Sequence, residues 1–311
     1  MEYLSGDFKI GVVVVIYKPD WKLLDVCMTS VSNQVDMLCV IDNSSVDNSS
    51  KFHDLNSKIK YIWAKKNIGI AAAQNIGINY FTQKKFDFVL FSDQDSCSPN
   101  GLVDKLVDAY VRLSGIVDIA CIGPMPIDRK SKLPYISEQS ILDRCEYNGV
   151  HYYKMHSIIS SYSLVPLRNF LIVGNMDERL FIDFVDDDWC WRASAFFNKL
   201  SIMLFDVTIE HELGVSSTFL GHRISISSPF RIFYQTRNLF WMCHKTYTPY
   251  SWKKKNILKL LIKFIYYPIF TNRRLEYLKK MLSGLYIGLF RYGLKNRNRY
   301  ILKESIIHSK L

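Results

Sequence analysis

The chain has 311 residues, 49% hydrophobic and 14% aromatic with only 14 Gly and 9 Pro; this excludes a disordered or low-complexity protein and allows one large domain with an appendage, or two small ones. A formal net charge of +11, concentrated from Arg223 onward, admits anionic partners: nucleic acid, an anionic membrane surface or anionic small substrates. Seven scattered cysteines in mostly apolar runs, without Cys-x-x-Cys or zinc spacing, are expected to be reduced thiols of a cytosolic protein, and the N-terminus has neither the basic region nor the apolar stretch of a signal peptide.

In chain order, Phe8 to Tyr17 reads as a strand, Leu23 to Asn33 as a helix and Met37 to Ile41 as a second strand, the rhythm of a βαβ unit. The second strand ends in Asp42-Asn43-Ser44-Ser45, a polar turn; no Gly-x-Gly-x-x-Gly or Walker pattern occurs. A nucleotide bound here is therefore expected to rest on carboxylates, amides and metal. Lys60 to Ala64 makes a third strand, Ile68 to Gln83 an Ala-rich helix and Phe86 to Ser92 a fourth strand, followed by a helix from Pro99 to Leu113. The fourth strand runs into Asp93-Gln94-Asp95-Ser96. Alternation along an extended chain points Asp93 and Asp95 the same way, so one hard divalent cation can be shared by both carboxylates and a substrate diphosphate. Turns and helix caps use the same residues.

From Ile119 to Asn175 two strands are expected, Ile119 to Ile122 and Ser157 to Val165, with a long connection of the kind that covers active sites. Asp177 to Arg192 alternates acids with large apolar residues and leads into a helix from Ala193 to Leu200. Ile202 to Val207 is a further strand, and Glu210-His211-Glu212-Leu213-Gly214 after it is a candidate second catalytic loop.

Four landmarks in order resemble family 2 glycosyltransferases, and within them the bacterial rhamnosyltransferase branch, over about residues 8 to 245. They are Asp42-Asn43-Ser44-Ser45, Asn67-Ile68-Gly69 through Asn75-Ile76-Gly77, Asp93-Gln94-Asp95-Ser96, and Asp177-Glu178 through Arg192 followed by His211. The resemblance implies a GT-A fold, a Rossmann-like α/β sheet with helices on both faces. It also implies an inverting, metal-assisted transferase using nucleotide-diphospho-sugars.

Position by position, the resemblance implies that Tyr17 and Asp42 contact the nucleotide and that Asn67, Gly69 and Asn75 line its pocket. Asp95 would bind Mg²⁺ or Mn²⁺ directly, Asp93 the ribose or a metal water, and His211 would complete the metal shell or touch the diphosphate. Arg237, within Arg231 to Asn238, would grip diphosphate through a bidentate fork. Other readings stay open: an Asx turn for Asp42, a helix cap for Asn67, a basic amphipathic helix for Arg231 to Asn238.

Inversion needs one general base for the acceptor hydroxyl. Asp186 is the expected base, with Asp188 its rival and Asp187 turned outward or capping the helix. Shielding by Phe184, Trp189 and Trp191 would raise the base's pKa, and an acidic helix start favoured by the dipole is the competing explanation. Trp189 and Trp191 could also stack on sugar faces, with core packing favoured for at least one. The chain departs from the family at Ile16-Tyr17-Lys18-Pro19, where Thr-Tyr-Asn-Pro is common, and at Tyr162, where glycine commonly follows serine; the loop near Ser161 is expected to be reshaped.

The catalytic domain is expected to span residues 1–222, and residues 223–311 a basic helical region. There one helix runs from Trp252 until Pro268 ends it, and another from Asn272 to Phe290. Such a pair suits the inner face of a bacterial membrane, where a lipid-linked acceptor is met; packing on the catalytic domain with snorkelling lysines is the alternative. The expectation is thus a cytoplasmic, peripheral enzyme moving L-rhamnose from dTDP-β-L-rhamnose to a lipid-linked surface glycan of the O-antigen kind, with no nucleic-acid partner. A UDP-sugar donor or a non-enzymatic basic binding module are the alternatives. A nucleotidyltransferase would want a Gly-rich, Arg-bearing loop that Gly11 to Asp20 lacks.

Overall fold

Ile10–Ile16 (β1) is a β-branched run in which Val12, Val13, Val14 and Ile16 are at most 1% exposed, so both faces of the strand are covered, as an interior parallel strand requires. The computed structural model describes residues 8–52, 57–129, 131–210 and 226–291 in full, and the backbone of 211, 216–219 and 222–225. The chain forms two compact units, one drawn from residues 1–181 and 185–213, the other from residues 182–184 and 214–311.

In the first unit β1 is joined by Trp21–Ser32 (α1), Met37–Asp42 (β2), Ile59–Trp63 (β3), Ile70–Gln83 (α2), Phe88–Asp93 (β4), Leu102–Leu113 (α3) and Ile119–Asp128 (β5). Then come Ile141–Tyr147 (β6), Val150–Met155 (β7), Leu164–Pro166 (β8), Leu167–Val173 (α4), Val185–Phe197 (α5) and Leu200–His211 (β9). Among the described residues these strands form one sheet in the order β3-β2-β1-β4-β8-β5-β9-β7-β6. β3, β2, β1 and β4 are mutually parallel, β8 is antiparallel to both β4 and β5, and β5 is parallel to β9. The carboxyl ends of β1, β2, β4, β5 and β9 therefore share one edge. Ligands bind at such an edge in open α/β sheets.

Alternation sorts β1 between two layers. Val12, Val14 and Ile16 join Leu24, Met28 and Val31 of α1 and Leu102 and Leu106 of α3 in one core cluster. On the other face Val13 fills the space where a side chain at Gly77 of α2 would stand. Helices thus cover both sides of the sheet.

Several elements differ from the sequence expectation. The strand expected at Ser157 to Val165 shrinks to β8, because Tyr162 takes a left-handed backbone (φ 54°) and residues before it turn toward β4. The long connection contains the hairpin β6–β7, turned at Asn148-Gly149 with both φ values positive, the conformation that an Asn-Gly hairpin turn demands. The helix expected from Ala193 begins eight residues earlier, at Val185, and ends at Phe197, while Leu200 opens β9. Its first turn carries Asp186, Asp187 and Asp188, whose charges favour a helix N-terminus.

The second unit holds the antiparallel pair Ser216–Phe219 (β10) and His222–Ser225 (β11), then Pro229–His244 (α6), Tyr250–Phe270 (α7) and Arg274–Phe290 (α8). Ser228 caps α6, accepting from Arg231 N–H, with Pro229 in the first turn. Ile232, Leu239, Leu260, Ile262, Tyr267 and Met281 form its core, and the Tyr267 and Tyr277 rings stack with centroids 4.4 Å apart. Pro268 does not end α7, which continues to Phe270; so close to the C-terminus proline removes a single N–H from the last turn. Among the described residues no helix is long and apolar enough to cross a membrane.

Candidate active site

The register of the sheet brings the expected carboxylates together. Ile16 of β1 pairs with Asp42 of β2, and Val15 pairs with Asp93 of β4, so both acids flank the end of β1. On the same edge Asp128 of β5 pairs with His211 of β9. This sets the His211 backbone at a strand end; its side chain, like Glu212 to Gly214, lies outside the described residues.

Asp95 is exposed and Asp93 partly buried. Between them, Gln94 Oε1 accepts from Tyr17 N–H at 2.8 Å and its Nε2 donates to Tyr17 O at 3.4 Å, clasping the tips of β1 and β4. Tyr17 itself is 43% exposed. The loop beyond is anchored from beneath, where Tyr162 Oη donates to Ser96 O at 2.7 Å and Ser98 N–H donates to Ser30 Oγ of α1 at 2.8 Å. Tyr162 is fully buried in the position where the family commonly keeps glycine, and burial raises its phenol pKa. It acts as a strut under the Asp95 loop.

Asp42 is fully buried. Its oxygens accept from Ser44 N–H at 2.8 Å, Asn48 Nδ2 at 2.7 Å and Tyr61 Oη at 2.8 Å, an Asx turn extended by two side chains. Ser44 Oγ in turn accepts from Lys18 N–H, and Trp63 Nε1 donates to Ser44 O. The carboxylate orders the loop that frames this corner.

Asn67 does not cap α2: its Oδ1 accepts from Gly69 N–H at 3.0 Å, and Gly69 is the N-cap. Gly69 has φ 86°, and a Cβ there would lie 2.6 Å from Phe181 O, whose carbonyl accepts from Ile70 N–H at 2.7 Å. Its close backbone approach is to Phe181. Asn75 is also buried and spans to the same segment, donating to Met176 O and Glu178 Oε1 and accepting from Met176 N–H. The Asn67 to Asn75 segment thereby docks the chain that leads to α5.

At the start of α5 the three aspartates separate. Asp188 is fully buried and accepts from Arg192 Nε at 2.9 Å, while the same guanidinium donates to Val173 O and Asn175 O. Asp187, expected to face outward or cap the helix, instead accepts from Ser157 Oγ at 2.5 Å. Asp186 accepts from Ser160 N–H at 3.1 Å. Burial and the Asp187 charge push its pKa up to about 7, the Ser160 bond opposes this, and the Asp93 charge adds to it. A carboxyl poised near neutrality and within electrostatic reach of Asp93 suits proton transfer.

Trp189 and Trp191 are 2% and 3% exposed, and Trp189 donates to Gly174 O; both pack in the core, so neither ring presents a face to a sugar. Arg237 belongs to the second unit, where its guanidinium holds Asn238 Oδ1 and lies 4.0 Å from the Trp241 ring centroid. Gln94, Ser157 and Ser160 were not legible as site residues. Gln94 stands inside the Asp-x-Asp pattern, but nothing in its neighbourhood marks the clasp, and the serines act through distant segments.

Among the described residues no group of three or more His, Cys, Asp or Glu side chains is arranged to hold a metal unaided. Asp93 and Asp95 supply hard oxygen donors at one strand tip, and the Asp93 charge still acts on Asp186. This set fits a divalent cation that takes its remaining ligands from a diphosphate and water.

The profile of glycosyl transferase family 2 matches residues 11–165. The dTDP-rhamnosyl transferase RfbF of Shigella flexneri is 32% identical over 298 residues, 94% of this chain and 98% of that protein. Among solved structures, S. aureus TarS 1-349 in complex with UDP-GlcNAc superposes with a TM-score of 0.54 at 12% identity, over 92% of this chain and 83% of that one. GalNAc-T7 with UDP, GalNAc and Mn²⁺ gives 0.53 at 14% identity; 81% of this chain is covered, and the chain spans only 54% of that protein.

Proposed function

The chain belongs to glycosyl transferase family 2 and is a glycosyltransferase of the GT-A fold, and we propose that it moves L-rhamnose from dTDP-β-L-rhamnose to a hydroxyl of a lipid-linked glycan with inversion. The rhamnosyl donor is supported by the identity with RfbF across nearly the whole of both chains. One observation carries the chemistry: Asp186, pushed up to about 7, is oriented by Ser160 and feels the charge of Asp93 at the β4 tip.

In this reading the acceptor hydroxyl oxygen attacks the anomeric carbon from the face opposite the diphosphate. The bond to the diphosphate breaks and the hydroxyl proton passes to Asp186. Asp188, committed to Arg192, keeps α5 in place. The Gln94–Tyr17 clasp and the Asp42 turn hold the strand tips that bracket the nucleotide. Mg²⁺ or Mn²⁺ held by Asp95 and Asp93 would neutralise the departing diphosphate. Ser160 fixes the carboxylate so that its other oxygen can face the acceptor. We assign the enzyme to the cytoplasmic side, peripheral to the membrane that carries its acceptor.

A thermal-shift panel of dTDP-rhamnose, UDP-sugars and GDP-sugars, with and without Mn²⁺, tests the donor. The expected result is metal-dependent stabilisation by dTDP-rhamnose above the others. Stronger stabilisation by a UDP-sugar would replace the donor, and no metal-dependent shift with any sugar nucleotide would overturn the reading.

A further inference from the structure

Helix α7 is amphipathic in an unusual sense. Ile257, Leu258, Leu261, Ile265 and Ile269 recur at three- and four-residue spacing and are 39–57% exposed, an apolar stripe turned to the outside. Lys259 and Lys263 lie on the other side of the helix at 3.6 residues per turn. There Lys263 Nζ donates to Gln235 Oε1 of α6 at 2.8 Å, and Gln235 Nε2 donates to Ser227 Oγ. One turn before Gln235, Arg231 grips both oxygens of Asp183 at 2.7–3.1 Å.

Burial first, then the neighbouring charges of Lys259 and Arg231, pull the Lys263 amine down to about 8 despite the opposing charge of Asp183. Burial and Lys255 likewise lower Lys259. Three cations, Lys263 partly buried and Lys259 and Arg231 exposed, stand against one carboxylate that Arg231 already holds, and this surplus of positive charge favours a multivalent anion. The apolar stripe on the same helix favours an anion attached to lipid.

We propose that Lys263, Lys259 and Arg231 bind the diphosphate of the lipid-linked acceptor while the outward stripe of α7 lies on the lipid. This rests on the lipid-linked acceptor of the reading above. Asp183 stands three residues before Asp186 in the chain, so an occupied diphosphate site and the base are linked by a short stretch of backbone. A prenyl-type diphosphate supplies chemistry for both faces of the helix: negative charge for the cations on one, and on the other the hydrocarbon layer, into which its tail inserts, for the stripe.

The test is co-sedimentation of the full chain with phosphatidylcholine vesicles carrying either a few mole per cent polyprenyl diphosphate or charge-matched phosphatidylglycerol. The wild type should bind the diphosphate vesicles about tenfold more tightly. Lys263→Met should erase that preference and Lys263→Arg restore it, while Leu261→Ser with Ile265→Ser should weaken binding to both vesicles. Each variant is first checked for the wild-type thermal shift with dTDP-rhamnose and Mn²⁺, which reports folding and the donor site separately. Equal binding to both vesicles, or a preference that survives Lys263→Met, overturns the proposal. Stabilisation by inorganic diphosphate without any vesicle preference assigns the cluster to a soluble diphosphate and overturns its lipid assignment. Loss of donor stabilisation in the wild type, with vesicle preference intact, would instead count against the donor reading alone.

Discussion

The carbonyl oxygen of Phe181 sits where a side chain at Gly69 would begin, 2.6 Å from the position of its Cβ. The same carbonyl accepts the Ile70 N–H at the head of α2, and Phe181 holds a left-handed backbone (φ 67°) to do so. One contact thus ties the turn after β3 to the segment that enters α5, five residues before Asp186.

Gly69→Ala should therefore act at a distance. It meets both the positive φ of 86° and the Phe181 carbonyl, so a loss of about 2–3 kcal/mol in urea unfolding is expected. Transfer should fall further than donor binding, because the displaced segment leads to Asp186, the proposed base. An unchanged unfolding midpoint would show that the contact is not made.

Asp186 and Asp188 should separate cleanly. Asp186→Asn removes the proposed base and leaves packing intact, so transfer should fall about 10²–10⁴-fold with donor-induced stabilisation retained. Asp188→Asn strands Arg192 beside a fully buried amide, and about 3 kcal/mol or more of stability should be lost. Full activity in Asp186→Asn would remove it as the base.

The raised pKa of Asp186 fixes the sign of a pH effect. The folded state binds the proton more tightly than the unfolded chain, whose ordinary value is 3.8. This group's contribution to stability is therefore complete below pH 3.8 and declines as pH rises through about 7. Asp186→Asn should accordingly raise the melting temperature relative to wild type at pH 8, with the difference vanishing near pH 4. Activity should run the other way, rising with pH through the same region as the carboxylate is freed. A flat difference in melting temperature would contradict the assignment.

The Gln94 clasp predicts a binding defect. Gln94→Ala loses two hydrogen bonds to the Tyr17 backbone, about 1–2 kcal/mol of order at the strand tips. KM for the sugar nucleotide should rise about tenfold with kcat changed less, since Asp186 is untouched. A change confined to kcat would place Gln94 elsewhere in the reaction.

Residue chemistry and chain order were enough to place the sheet's interior and its acids. The β-branched run Val12 to Ile16 can satisfy burial only as a doubly covered strand, and Asp42 and Asp93 end their strands with Asp95 two residues beyond, so chain order alone sends them to the carboxyl edge. The Asn148-Gly149 hairpin was equally available in local residue types, yet its flanking segments alternate too weakly to announce strands; only pairing with β9 makes them so. What each side chain does once there depends on contacts that only the folded chain makes. Asp186, Asp187 and Asp188 are the same residue in one helical turn, and what distinguishes them is a serine N–H and a serine hydroxyl brought in from the loop before β8, and an arginine one turn further along α5 that buries Asp188 with it. Burial, hydrogen bonding and neighbouring charge set a carboxylate's proton affinity, and none of the three is a property of the residue's place in the chain.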